Sequence, residues 1–176
     1  MKPMNILTID IDLLIQSMRD LCRASDDYYL NKRTGTVISL SRKLIHALSP
    51  ESSEDRNLNN IPEWDASMIP LAREIILMGS SDYLRIPEAF GRPEHEWMKD
   101  FSDSVRGPKL REKLIFALRG RGAGKRFKEI LKEVPEEANR WLVFRKKKWE
   151  EKIQDWLEVH GVLAVIPSPK PRSAAA

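Results

Sequence analysis

A single cysteine, Cys22, stands among the 176 residues. No disulfide can close within the chain, which excludes a stapled secreted scaffold and fits a reduced, cytoplasmic setting. Cys22 follows Leu21 with no local context that marks a nucleophile, so it reads as a small apolar group. Long apolar runs are missing as well. Ile75-Ile76-Leu77-Met78 is among the longest, far short of the roughly 20 residues a bilayer demands. The opening MKPMNILTIDIDLL carries acids at once and has neither an apolar signal core nor a small-residue cleavage site. Histidine is scarce. His46, His95 and His160 lie far apart, and His95-Glu96 is followed at Lys99 by the wrong residue for a zinc-protease helix. A G-x-S-x-G nucleophile elbow is also absent. The expectation is a cytoplasmic protein with no catalytic residue assigned, no metal, no cofactor and no membrane contact.

Charge is plentiful and unevenly spread. The net charge is +4, yet residues 1–105 hold 12 Lys+Arg against 17 Asp+Glu, while residues 106–150 hold 15 against 6. The central block is therefore +9 and the N-terminal part −5. Such a block recruits a polyanion or an acidic protein surface, forms the solvated outside of helices, or docks on the chain's own acidic part.

Periodicity predicts mostly helix. Leu14, Met18 and Leu21 recur at helical spacing over 10–24, with Asp10 or Asp12 as cap. Tyr28-Tyr29-Leu30 and Thr36-Val37-Ile38 flank Asn31-Lys32-Arg33-Thr34-Gly35 as a hairpin, and a short helix over 42–48 follows. Residues 49–62 read as loop, 64–78 as helix, and Asp82–Ile86 as a strand that joins the hairpin. From residue 93 onward everything reads as helix: 93–106, 108–119, 123–133 and 136–160, with Pro93, Pro108 and Pro135 at the starts. The fold class is α+β, predominantly helical, with a small three-stranded antiparallel sheet (hairpin plus one later strand) packed against helices. Residues 1–166 form a single globular domain and 167–176 a disordered tail.

The stretch LRGRGAGKRFKEIL, residues 118–131, poses the main functional question. It superficially matches a phosphate-binding loop, but Arg126 follows Gly124-Lys125 where Ser or Thr is required. Position 119 is arginine in place of the first glycine, and an amphipathic helix precedes it in place of a strand. It reads instead as a helix–helix corner turned by Gly120 and Gly122. Phe127, Ile130 and Leu131 then face inward, with Lys125, Lys128 and Lys132 on the opposite side. Arg119, Arg121 and Arg126 stand beside a helix N-terminus, where an anion is also held.

On the last helix, Ala138, Trp141, Leu142, Trp149, Ile153 and Trp156 fall on one inward arc. Phe144 lies outside it among Arg140, Lys147 and Lys148, either stacking on nucleobases or packing against a neighbouring element. Asp10 and Asp12 match the D-x-D pair of haloacid-dehalogenase-like phosphotransferases, which sits at the end of a buried strand. Here the pair reads as opening a helix, as a cap.

The order Tyr83-Leu84-Arg85-Ile86-Pro87, Trp97-Met98-x-x-Phe101, Leu110-Arg111-x-x-Leu114, Gly120-Arg121-Gly122-Ala123-x-x-Arg126-Phe127-Lys128, Trp141-x-x-Phe144, Trp156-Leu157 is distinctive. It resembles the bacterial uncharacterised protein family numbered 0158, across residues 83–157. The resemblance implies a small bacterial cytoplasmic protein and carries no established activity. Gly124 stands where that family usually has an aromatic, which either loosens packing at the corner or leaves room beside Phe127 for another residue to fill.

The leading expectation is a non-enzymatic binding module whose basic helical half, 106–150, contacts a polyanion, RNA or DNA. Its candidate residues are Arg119, Arg121, Lys125, Arg126, Lys128, Arg140, Phe144, Lys147 and Lys148. The alternatives are an adaptor that pairs with an acidic protein or with itself, and an enzyme whose site is dispersed in sequence.

Overall fold

The computed structural model describes residues 5–19, 25–49, 62–88 and 93–165. Its backbone divides into two compact units, Met1–Glu88 with Gln154–Ala176 and Ala89–Ile153.

In the first unit, β1 (Asn5–Thr8) leads into α1 (Ile11–Arg19). Asp10 Oδ1 accepts from the Leu13 backbone N–H at 3.0 Å, so Asp10 is the cap. Ile11, Leu14 and Met18 are buried on one face of α1. Next come β2 (Asp26–Asn31), β3 (Val37–Ser41) and α2 (Arg42–Leu48). β2 pairs antiparallel with β3 through Tyr29↔Ile38 and with β4 (Tyr83–Arg85) through Tyr29↔Arg85, giving the order β3-β2-β4. This is the expected three-stranded sheet.

Two buried carboxylates fasten it. Asp27 on β2 accepts from Arg42 at 3.2 Å and from Arg85 at 2.7 Å, joining β2 to the start of α2 and to β4. Asp65 accepts from Ser41 Oγ at 2.6 Å, while Ser41 Oγ caps α2 by accepting from Leu44 N–H. Above these, Leu40, Leu44, Leu48, Ala72 and Ile75 form an apolar cluster.

Three expectations are corrected here. A second, parallel sheet exists: β1 pairs with β5 (Val162–Val165), so the chain after residue 93 is not all helix. Strand β1 also means that Asp10 follows a strand by two residues, although its carboxylate caps α1. The helix expected over 64–78 is two pieces, α3 (Glu63–Ala66) and α4 (Ile69–Ile76). Pro70, in the first turn of α4, has no N–H to continue a preceding helix and clashes with its last carbonyls. Leu21, Cys22, most of the 49–62 loop and the 167–176 tail lie outside the described residues.

The second unit holds α5 (Pro93–Asp103), α6 (Pro108–Ala117), α7 (Ala123–Lys132) and most of α8 (Pro135–Val159). Each of the three expected prolines opens its helix. The core is aromatic. Phe101, Phe127 and Trp141 meet edge to face at centroid distances of 5.0–6.2 Å, and Trp97 meets Trp149 at 5.1 Å. On α8 the fully buried row runs Trp141, Trp149, Ile153, Leu157 in steps of four or eight. Leu142 stands about 100° from its neighbour Trp141 and is 52% exposed, so it is not core. Ile115 on α6 is likewise turned outward, and Ala117 takes the inward place.

Candidate nucleic-acid interface

The corner between α6 and α7 is built by two left-handed residues, Gly120 at φ +70° and Gly122 at φ +77°. Gly122 is the N-cap of α7. Only glycine takes both values without strain, so the chain reverses within five residues. Arg126, one turn into α7, reaches back across the corner. Its guanidinium donates to the carbonyl of Ala117 at 3.0 and 3.2 Å, to that of Arg121 and to that of Arg119. A cation on the orphan carbonyls at the end of α6 satisfies them and opposes the helix dipole. Arg126 is thus a capping residue for α6 as well as part of the basic wall.

Between α6 and α7 lies a groove of about 540 Å³, lined by Lys113, Phe116, Ala117, Lys125, Arg126, Glu129 and Ile130. Its walls are almost wholly apolar: the Phe116 ring, Ala117, Ile130 and the aliphatic stems of the cations. Phe116 is 69% exposed. The Arg119 guanidinium stands 5.4 Å from its ring centroid. Glu129, the carboxylate of the groove, pairs with Lys132 at 2.9 Å. The Lys132 hydrogen bond and charge, with Lys125 further off, hold that carboxyl below its usual range.

The nine residues singled out by sequence separate into two groups. Arg119, Arg121, Lys125, Arg126 and Lys128 gather on the corner and the outer face of α7, all exposed. Lys125 and Lys128 lie within about 60° of arc. Arg140, Phe144, Lys147 and Lys148 belong to α8 and are engaged elsewhere. Arg140 pairs with Glu137 at 3.1 Å, donates to Ser104 Oγ and lies 4.7 Å over the Phe101 ring. One Glu137 oxygen, Oε2, is buried close to Arg140 but outside hydrogen-bond geometry. Lys147 faces Glu151 and Lys148 faces Asp100, both at 3.9 Å. Phe144 lies on Trp141 at 6.0 Å and near Phe101 at 5.7 Å, with the Lys148 ammonium 5.6 Å from its ring. Its ring packs inside the unit.

Sequence reasoning missed Lys113 and Phe116, the residues that open the groove. Their signal was present: Leu110, Leu114 and Ala117 at i, i+4, i+7 fix the inward face of α6, and Phe116 falls about 200° from Leu114. At Gly124, a Cβ would stand 3.7 Å from Met98 Cε. Met98 therefore occupies the room beside this glycine. All three histidines are exposed, and His160 Nδ1 lies 2.7 Å from the Trp156 carbonyl oxygen. Among the described residues no helix is long and apolar enough to cross a membrane.

Neither a curated protein nor a solved structure matches the chain. A family model does, over residues 72–169, which takes in β4, all four helices of the second unit and β5. That span is more than half of the chain, and it contains the succession from Tyr83 to Leu157 on which the resemblance rested. The chain belongs to the Uncharacterised protein family (UPF0158).

Proposed function

We propose that this protein is a non-enzymatic binding module whose second unit contacts a polyanion, RNA or DNA, through the α6–α7 corner. One observation carries the reading: exposed cations gather on the corner and the outer face of α7, with Lys113, Lys125 and Arg126 along an apolar groove beside them. Arg119, Arg121, Lys125 and Lys128 supply the charge. Among the described residues, none of these four carries a hydrogen bond or ion pair from its own side-chain cation. Neutralising phosphates releases counterions, so affinity falls steeply with salt. The test is filter binding of the full chain to mixed RNA and DNA at about 50 and about 200 mM salt. Retention at the lower value that collapses at the higher supports the reading; no retention at either ends it.

A second reading has its own observation. Leu142 and Val143, adjacent on α8, are 52% and 71% exposed. Apolar side chains next to Lys146 and Lys147 suit an adaptor that pairs with an acidic protein or with itself. A partner that survives nuclease treatment in a native pull-down, or a dimer in light scattering that Leu142→Glu dissociates, would favour this reading.

A further inference from the structure

The polyanion reading asks only for positive charge, and the groove offers more. Phe116 closes the last turn of α6 with a ring face that neither α6 nor α7 covers, 69% exposed. Lys113, one turn before it, and Lys125 on α7 also line the groove, with Ala117 and Ile130 as its apolar residues. We infer that this groove seats an unpaired nucleobase against the Phe116 ring, so that the corner takes single strands in preference to duplexes. This inference rests on the polyanion reading above.

The chemistry of the two surfaces matches. A single strand alternates flat apolar rings with phosphates, and the corner alternates an aromatic face with cations at side-chain spacing. A duplex stacks its bases on one another and shows this site phosphates alone, so Phe116 and the apolar residues of the groove would stay in water. A volume of about 540 Å³ takes a base with its sugar. The Arg119 guanidinium, 5.4 Å from the ring centroid, adds a planar cation that stacks on a base as readily as on Phe116. Glu129, which alone would repel a phosphate here, is neutralised by Lys132 at 2.9 Å. The apolar side chain of an acidic protein would fill the same groove, but it brings no periodic charge to Arg121 and Lys128 beyond the groove.

The probe is fluorescence anisotropy of the full chain with a labelled oligouridylate, a duplex of equal length and linear polyphosphate, at one low salt concentration. Expected is a single-strand affinity about tenfold or more above the other two. Phe116→Ala should lower the single-strand affinity about tenfold and leave polyphosphate unchanged, and Phe116→Trp should retain it. Because Phe116 is exposed, the alanine variant keeps its fold, which a thermal melt checks. Equal affinity for all three probes, or an alanine variant that binds oligouridylate as well as the parent, overturns the base-stacking inference and leaves the polyanion reading standing. Binding to none overturns both. Displacement of oligouridylate by polyglutamate as effective as by unlabelled strand would assign the groove to an acidic protein surface.

Discussion

At Gly35, which closes the β2–β3 turn, a side chain meets two obstacles. The backbone sits at φ +77°, and a Cβ there would lie 2.6 Å from the Thr8 carbonyl oxygen. The turn is pressed against the end of β1, and that oxygen belongs to backbone that cannot swing aside. Left-handed strain and the close contact together should make Gly35→Ala cost about 2–4 kcal/mol, read as a shift of the urea midpoint. A shift under about 0.5 kcal/mol would show that the turn is not held there. Half of this was legible, since glycine after Asn31-Lys32-Arg33-Thr34 marks a turn with positive φ. The contact with Thr8 was not, because it depends on where β1 lies.

Tyr29 shows the same division. Burial above all, then the neighbouring Asp27 carboxylate, raises its hydroxyl above the ordinary 10.0, and Arg85 acts in the opposite sense. The folded state thus holds this proton more tightly than the unfolded chain does. Its contribution to stability is complete below the unfolded value and is lost as pH rises through the folded one. Above about pH 10, stability should therefore decline less steeply in Tyr29→Phe than in the parent. Parallel urea midpoints for the two proteins across that range would rule this out. Tyr83, raised by burial and by Glu74, keeps its own share of the decline in both.

Among the elements, α6 depends on a residue that lies in α7. The Arg126 guanidinium covers the carbonyls of Ala117, Arg119 and Arg121, so Arg126→Ala should destabilise by about 1–2 kcal/mol. Lysine should recover less than half, since one ammonium on a flexible stem does not span three carbonyls. Full recovery by Arg126→Lys in thermal melts would mean that charge alone matters.

Helix α5, with its proline start, and α7, with its clean apolar row, were legible because their signals lie within one turn. Strands β1 and β5 were not. NILT and VLAV are four-residue runs too short to show a period, and among the described residues each strand pairs only with the other. On α6 and α8 the charge pattern of the sequence singles out Phe144 and passes over Phe116. Phe144 stands among cations in sequence, yet its ring lies on Trp141 and Phe101, while Phe116, with the inward row at its back, faces water.

For the whole molecule, net charge is a poor guide to where a polyanion would bind. Of the +9 in residues 106–150, several cations are already answered on α8 by Glu137, Asp100 and Glu151. Those left on the corner should set the salt dependence. Replacing Arg119, Arg121, Lys125 and Lys128 together by alanine should flatten the slope of log affinity against log salt by about 3, at about 0.7 per phosphate for single strands. A slope unchanged by the fourfold variant would move the binding surface to another part of the molecule. Sequence could count these charges but not pair them, because Arg140–Ser104 and Lys148–Asp100 join helices that only the folded chain brings together.

The parallel pairing of Asn5 with Val162 has a consequence for how the protein is made. At a ribosomal pace of about 5–20 residues per second, residues 5–8 wait on the order of ten seconds for the partner that completes their ladder. By then everything the inserted helices of 89–153 require has already been synthesised. A strand translated early is among the last to be secured, and for this sheet the order of folding departs from the order of synthesis.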